Sequence, residues 1–260
     1  MGSATTQGAL WGAAAEDWAV FQEPTGTPLF DATLDAVAVT NGTRLLDVGC
    51  GSGVALALAA KRGANVTGID ASAALLDAAR GRAPEATLDE GDLEELPYGP
   101  GAFDVVTAFN SVQYAADPIA ALREMKRVAA PGGQVAVASW GDPDRCDTRA
   151  LIAALGSLLP PPPPGAGGPF ALAAPGALEA LVESARLTAL RAFEAPAPFV
   201  YGDVATAVRA GLSSGPARAA INHAGADATR AAVVGAVSSY AQPDGSVRMD
   251  NVFRVVIARA

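Results

Sequence analysis

Between residues 44 and 140, short apolar runs alternate with segments whose apolar residues recur at helical spacing. Arg44–Val48, Val66–Ile69, Ala86–Leu88, Phe103–Phe109 and Gln134–Trp140 have the length and composition of strands. Ser52–Arg62 predicts a helix, with Gly63 as its C-terminal stop. Ser72 can cap a second helix that runs through Arg82, and Pro84 ends the segment. Asp117-Pro118 sets a cap before a proline at the first helical position; Ala121, Leu122, Met125 and Val128 then line that helix's buried side until Pro131-Gly132-Gly133 breaks it. Alternating β and α units of this length predict a parallel sheet with helices on both faces.

The flanks are less regular. Residues 1–10 are expected to be flexible, and Trp11, Trp18 and Phe21 follow in an Ala-rich, helix-prone segment. A helix is expected from Pro28, with Leu29, Phe30, Leu34 and Val37 on its apolar side and Asn41-Gly42 as its stop. Leu158–Phe170, which contains the run Pro160–Pro164, reads as a loop or linker. Further on, Gly176–Arg186 reads as a helix and Leu187–Ala195 as a strand. Three short helices are expected at Asp203–Gly211, Pro216–Ala224 and Asp227–Tyr240, and an apolar strand at Val252–Ala258.

Composition narrows the partners. Half of the 260 residues are hydrophobic, enough for one domain of 1–260 to bury a large core. The net charge of −9, with no basic run longer than Lys61-Arg62, argues against a nucleic-acid partner, which would require a basic face. Two cysteines and one histidine supply neither a disulfide framework nor a zinc site, so no metal is expected. The first residues lack the basic start of a secretory signal, and no apolar run reaches the roughly 18 residues of a membrane span. A cytoplasmic location with no membrane partner is expected.

The chemistry concentrates at Leu45-Leu46-Asp47-Val48-Gly49-Cys50-Gly51-Ser52-Gly53. A strand ends there, the backbone turns, and a helix begins. Glycines allow positive φ and close approach of a ligand, and the helix start offers unpaired N–H groups. The spacing is G-x-G-x-G; the dinucleotide fingerprint G-x-G-x-x-G would need glycine where Val54 stands. Asp70, at the end of the next strand, can accept hydrogen bonds from ribose hydroxyls, which suits either class of nucleoside cofactor.

This segment resembles motif I of class I S-adenosylmethionine (SAM)-dependent methyltransferases of the methyltransferase type 11 kind. The resemblance continues through Val66-Thr67-Gly68-Ile69-Asp70-Ala71-Ser72, Glu90-Gly91-Asp92-Leu93, Phe103–Asn110 and Arg127–Gly133, and so covers residues 44–140 in order. It implies a Rossmann-like seven-stranded mixed sheet of order 3-2-1-4-5-7-6 with the last strand antiparallel, helices on both faces, and a helical lid from 1–40, 141–175 and 200–245. It implies SAM as cofactor. Gly49, Gly51 and Gly53 would shape the loop around its methionine part, with Cys50 contributing backbone and Asp47 holding the turn or a water near the amino group. Asp70 and Ala71 would meet the ribose, Asp92 and Leu93 the adenine. Phe109 and Asn110 would lie beside the sulfonium. Trp11, Trp18 and Phe21 either fold over the cofactor, where an aromatic face suits a sulfonium cation, or pack on the sheet.

The implied reaction is methyl transfer to a small-molecule acceptor by in-line displacement, by a monomer or homodimer. Because the donor is already activated, alignment can replace a dedicated catalytic residue. His223 is the candidate general base, being the sole histidine, and Tyr114 and Tyr201 are further candidate pocket groups. Two alternatives stay open: a non-catalytic SAM-binding protein and a nicotinamide-dependent oxidoreductase.

Overall fold

The computed structural model describes residues 2–161 and 168–260. Of the proline run, Pro162–Pro164 lie outside the described residues, as does 165–167.

Leu45, Leu46 and Val48 lie in the first strand, β1 (Arg44–Val48), and all three are buried. A strand apolar on both faces must be covered on both. β1 accordingly sits mid-sheet, parallel to β2 (Asn65–Asp70) and to β4 (Phe103–Phe109), with Leu46 opposite Thr67 on one side and Val106 on the other. β3 (Thr87–Glu90) adds beyond β2, and β5 (Ala129–Trp140) beyond β4. β6 (Thr188–Pro196) and β9 (Val252–Arg259) complete the sheet. The order is β3-β2-β1-β4-β5-β9-β6, and β9 runs antiparallel to both neighbours. Counted by sheet strands alone this is 3-2-1-4-5-7-6, the predicted topology. The two extra labels belong to a small antiparallel ladder, β7 (Phe199–Tyr201) with β8 (Val247–Met249), which the hydrophobic pattern did not reveal because each strand spans three residues.

Alternation along each strand divides the apolar residues between two cores. Leu45 and Val105 join one cluster with Leu34 of α3 (Thr27–Ala36) and Leu56 of α4 (Val54–Lys61). Leu46 and Val106 join the other with Leu122 and Met125 of α6 (Pro118–Val128) and Leu178 of α8 (Ala177–Ser184). The start of α6 is fixed as its sequence predicts: Asp117 Oδ1 accepts from Ile119 N and Ala120 N, both at 3.0 Å. Ser72 likewise caps α5 (Ala73–Arg82), accepting from Leu75 N at 3.3 Å.

The N-terminal segment corrects one expectation. Residues 4–12 form a helix, α1 (Ala4–Gly12), followed by α2 (Ala15–Asp17) and a π turn over Trp18–Gln22. The order comes from tertiary contact. Gly8 lies so near the loop after β2 that a Cβ there would stand 2.1 Å from Ala71 O, and one on Gly12 would meet Ser72 Oγ at 2.6 Å. A short helix gains stability from such packing rather than from intrinsic propensity. α1 also packs on α10 (Gly215–Ala224), which with α9 (Val204–Leu212), α11 (Ala226–Ser238) and α7 (Thr148–Gly156) forms a helical group beside the sheet. No helix among the described residues is long and apolar enough to cross a membrane.

Candidate functional site

β1 delivers the chain into the glycine loop at the carboxyl end of the sheet. Gly49 (φ 77°) and Gly51 (φ 55°) both occupy the left-handed region. Space matters as much as conformation. A Cβ on Gly49 would stand 2.5 Å from Ser111 Cβ, and one on Gly51 2.6 Å from Glu23 Oε2. The loop's N–H groups are held by acceptors from three directions. Gly49 N and Cys50 N donate to Ile69 O at 2.8 and 3.0 Å. Gly51 N donates to Asp70 Oδ2 at 2.8 Å, while Ser72 N donates to Asp70 Oδ1 at 2.9 Å. Ser52 N and Val54 N donate to Glu23 Oε2 and Oε1 at 2.6 and 2.9 Å.

Asp47, 2% exposed, points from β1 to the Thr107 hydroxyl on β4, which donates to it at 2.7 Å. Burial pushes its carboxyl up to about 7 against the Thr107 bond, and the nearby Glu23 and Asp70 charges add to the rise. Burial also pushes Asp70 up to about 6, opposed by the N–H groups of Ser72 and Gly51. The Cys50 thiol is raised well above its ordinary value, first by burial and then by the charges of Asp70, Asp47 and Glu23. It therefore stays protonated and is no nucleophile.

Over the loop lies a cavity of about 1030 Å³, counting its open mouth. Its polar wall includes Asp47, Asp70 and Glu23; its apolar wall includes Leu29, Phe30, Phe109, Phe199 and Phe253. Trp11, Trp18 and Tyr114 line it as well, as an edge-on aromatic group with Trp11 4.8 Å from Trp18 and 5.4 Å from Tyr114. Among the described lining residues there is no Lys, Arg or His.

Of the residues singled out in the sequence, Trp18, Asp47, Gly49, Cys50, Gly51, Asp70, Ala71, Leu93, Phe109 and Asn110 line this cavity. Asp92 lines a smaller recess that shares Asp70, Ala71 and Leu93 with it, and its Oδ1 accepts from Glu94 N at 2.9 Å. Gly53 does not line the cavity; it faces Ala79 of α5, 3.0 Å from where its Cβ would be. Asn110 holds a positive φ of 51°, and its Oδ1 accepts from Gln113 Nε2 at 3.1 Å. Phe21 does not line the cavity either; Arg209 of α9 stacks over its ring at 4.3 Å. The Tyr201 hydroxyl is tied to Gln22 Oε1 at 2.8 Å and stands outside the lining.

His223 stands apart from these residues. It lies exposed in the last turn of α10, outside the cavity, because that helix buries its Gly215, Ala217 and Ala220 side and ends at Ala224. His223→Ala is expected to leave turnover within about twofold of the parent, whereas loss of a general base costs about 10²–10⁴-fold. Initial rates of the two proteins with one acceptor check this.

Glu23 is the site residue that sequence reasoning missed. It is 8% exposed and comes from the short helical turn Glu23–Gly26. Trp18 Nε1 donates to it at 2.8 Å, so the N-terminal segment and the glycine loop share one carboxylate. No local signal pairs Glu23 with a loop some thirty residues later.

Residues 46–137 match the family described as Methyltransferase domain. The chain is 35% identical over 120 residues to the demethylmenaquinone methyltransferase of Beutenbergia cavernae, covering 46% of this chain and 50% of that protein. It spans about half the length of the curated relatives it matches. Among solved structures, the cyclase SpnF superposes with a TM-score of 0.57 at 24% identity, over 89% of this chain and 80% of that one. A SAM-dependent methyltransferase from Aquifex aeolicus superposes with a TM-score of 0.52 at 18% identity, over 67% and 88% of the two chains. At these identities the superpositions speak for the fold. Taken together, residues 46–137 match a methyltransferase domain, and the chain shares the fold of these solved structures.

Proposed function

We propose that the chain binds SAM over its glycine loop and transfers the methyl group to an uncharged, largely apolar small molecule, releasing S-adenosylhomocysteine. The observation that carries this reading is the lining itself: buried carboxylates at the glycine loop, aromatic and aliphatic walls beyond, and no basic side chain among the described lining residues. The residues present fit the cofactor. Gly49 and Gly51 bring bare backbone to the cavity wall, and Asp70 keeps lone pairs for ribose hydroxyls beside its two backbone bonds. Asp92 and Leu93 would meet the adenine, and Asp47 would hold the turn or a water near the amino group.

The cofactor supplies a methyl group already activated by a positive sulfur. What remains for the protein is to align the acceptor and exclude water, and alignment alone supplies about 7–11 kcal/mol. Phe30, Phe199 and Phe253 suit the first task, and α1 with Trp11 and Trp18 the second. No base is required before the methyl group moves to an uncharged acceptor that attacks through carbon or a neutral amine. In the matched relative the named acceptor is demethylmenaquinone. A flat, apolar acceptor of that general kind suits these walls.

The purified protein is expected to bind S-adenosylhomocysteine with a Kd in the micromolar range, about −8 kcal/mol. Titration calorimetry checks the binding, and label transfer from methyl-labelled SAM to a metabolite extract checks the reaction. No heat and no thermal shift at millimolar ligand would end the reading.

A further inference from the structure

The start of a helix that follows a glycine loop is where an anionic ligand group is ordinarily received, because its N–H groups lack partners. Here that seat is taken from within the chain. Ser52 N and Val54 N, at the start of α4, both donate to Glu23. The carboxylate is pinned further by Trp18 Nε1, and Arg82 Nη1 lies 4.0 Å away. Arg82 reaches Glu23 from behind the loop, where it also donates to Ser52 O and Ala19 O, and it does not line the cavity. The ligand therefore meets three acids, Glu23, Asp47 and Asp70, with one guanidinium behind them.

We propose that Glu23 is a specificity-determining residue that fills the anion seat of the glycine loop and makes the site prefer the cationic methyl donor to its neutral thioether product. The proposal rests on SAM being the ligand. With its sulfonium, ammonium and carboxylate, the donor carries one net positive charge; the product, lacking the sulfonium, carries none. Three carboxylates set against one guanidinium leave the cavity wall with an excess of negative charge, which attracts the first more than the second. Such a site would take up fresh donor in the presence of accumulated product. An incoming carboxylate finds Ser52 N and Val54 N already engaged, so the ligand's own anion adds little there.

The test compares S-adenosylhomocysteine with sinefungin, which carries an ammonium where the donor carries its methylated sulfur, by calorimetry on the full chain. Sinefungin is expected to bind about tenfold more tightly than S-adenosylhomocysteine to the parent, and within about threefold in Glu23→Gln. Glu23→Asp, which keeps the charge, is expected to retain most of the preference. A parent protein that binds the two ligands equally overturns the proposal without any variant. A Glu23→Gln protein that loses affinity for both in proportion reduces Glu23 to a loop brace and also overturns it, while leaving SAM as the ligand. Failure of both ligands to bind the parent removes the cofactor reading and the proposal together.

Discussion

Asp70→Ala is expected to weaken binding of S-adenosylhomocysteine by at least tenfold, about 1.4 kcal/mol or more. Two losses combine. The ribose hydroxyls lose a charged acceptor, and the glycine loop loses a brace, because Asp70 holds Gly51 N at 2.8 Å and Ser72 N at 2.9 Å. A strand-end acid that met only the ligand could be removed without touching the loop; this one cannot. Asp70→Asn keeps one acceptor oxygen and is expected to fall between the parent and alanine. The same groups set a pH dependence. Burial pushes Asp70 up to about 6 and Asp47 up to about 7. If the proposed ligand's hydroxyls and amino group are received by the ionised forms, affinity should rise as the pH climbs through 6 to 7 and level off above. Protonation below that window removes the acceptors. Calorimetry across pH 5–8 checks the direction. An affinity that is flat, or that rises toward acid, would place neither carboxylate on the ligand.

Phe253→Ala is expected to lower the unfolding free energy by about 3–5 kcal/mol, a large share of the roughly 5–15 kcal/mol of a typical domain. Phe253 lies on β9, 2% exposed, with its ring 4.6 Å from that of Trp140 on β5 and 6.4 Å from that of Phe199 on β7. It thus ties the antiparallel edge of the sheet to the small β7–β8 ladder. The two rings left, Trp140 and Phe199, belong to separate strands and cannot both close on the space that truncation would leave. Phe253 also lines the cavity, so the void opens into the acceptor space. Urea unfolding gives the stability change. Retention of affinity for S-adenosylhomocysteine at low temperature would separate it from the loss expected of Asp70→Ala. A change below about 1 kcal/mol would mean that the site collapses around the missing ring.

The predicted strands from β1 to β5 and the helices between them are legible because they are written locally. Ser72 and Asp117 announce their helices by capping, Gly63 marks a stop, and Leu45, Leu46 and Val48, apolar on alternate sides, show that both faces of β1 are covered. The glycine loop is legible for the same reason. A short spacing of glycines between a strand and a helix describes its own backbone, and Asp70 enters at a fixed distance from it. The flanks are different. α1 reads as a flexible Ala/Gly/Thr stretch and is a helix because Gly8 and Gly12 permit contact with Ala71 and Ser72, sixty residues away. His223 attracts attention as the sole histidine, yet side-chain chemistry without placement carries no role, and the packing of α10 turns it to solvent.

What the amino-acid sequence determined by itself is therefore the strands and helices from β1 to β5, the glycine loop and the acids within one strand of it, since each depends on neighbours a few residues apart; the sheet order came only as what the family resemblance implies. What only the tertiary structure decided is which distant side chains close on that loop. Glu23, nearly thirty residues before Ser52, donates nothing to any local pattern. It reaches the loop because the π turn over Trp18–Gln22 and the packing of α1 hold the N-terminal segment across the cavity. The same holds for the apolar wall, where Phe30, Phe199 and Phe253 meet from three separate elements. Periodicity records which face of an element is buried; it carries no record of which other element buries it, because that choice is made by the packing of the whole chain.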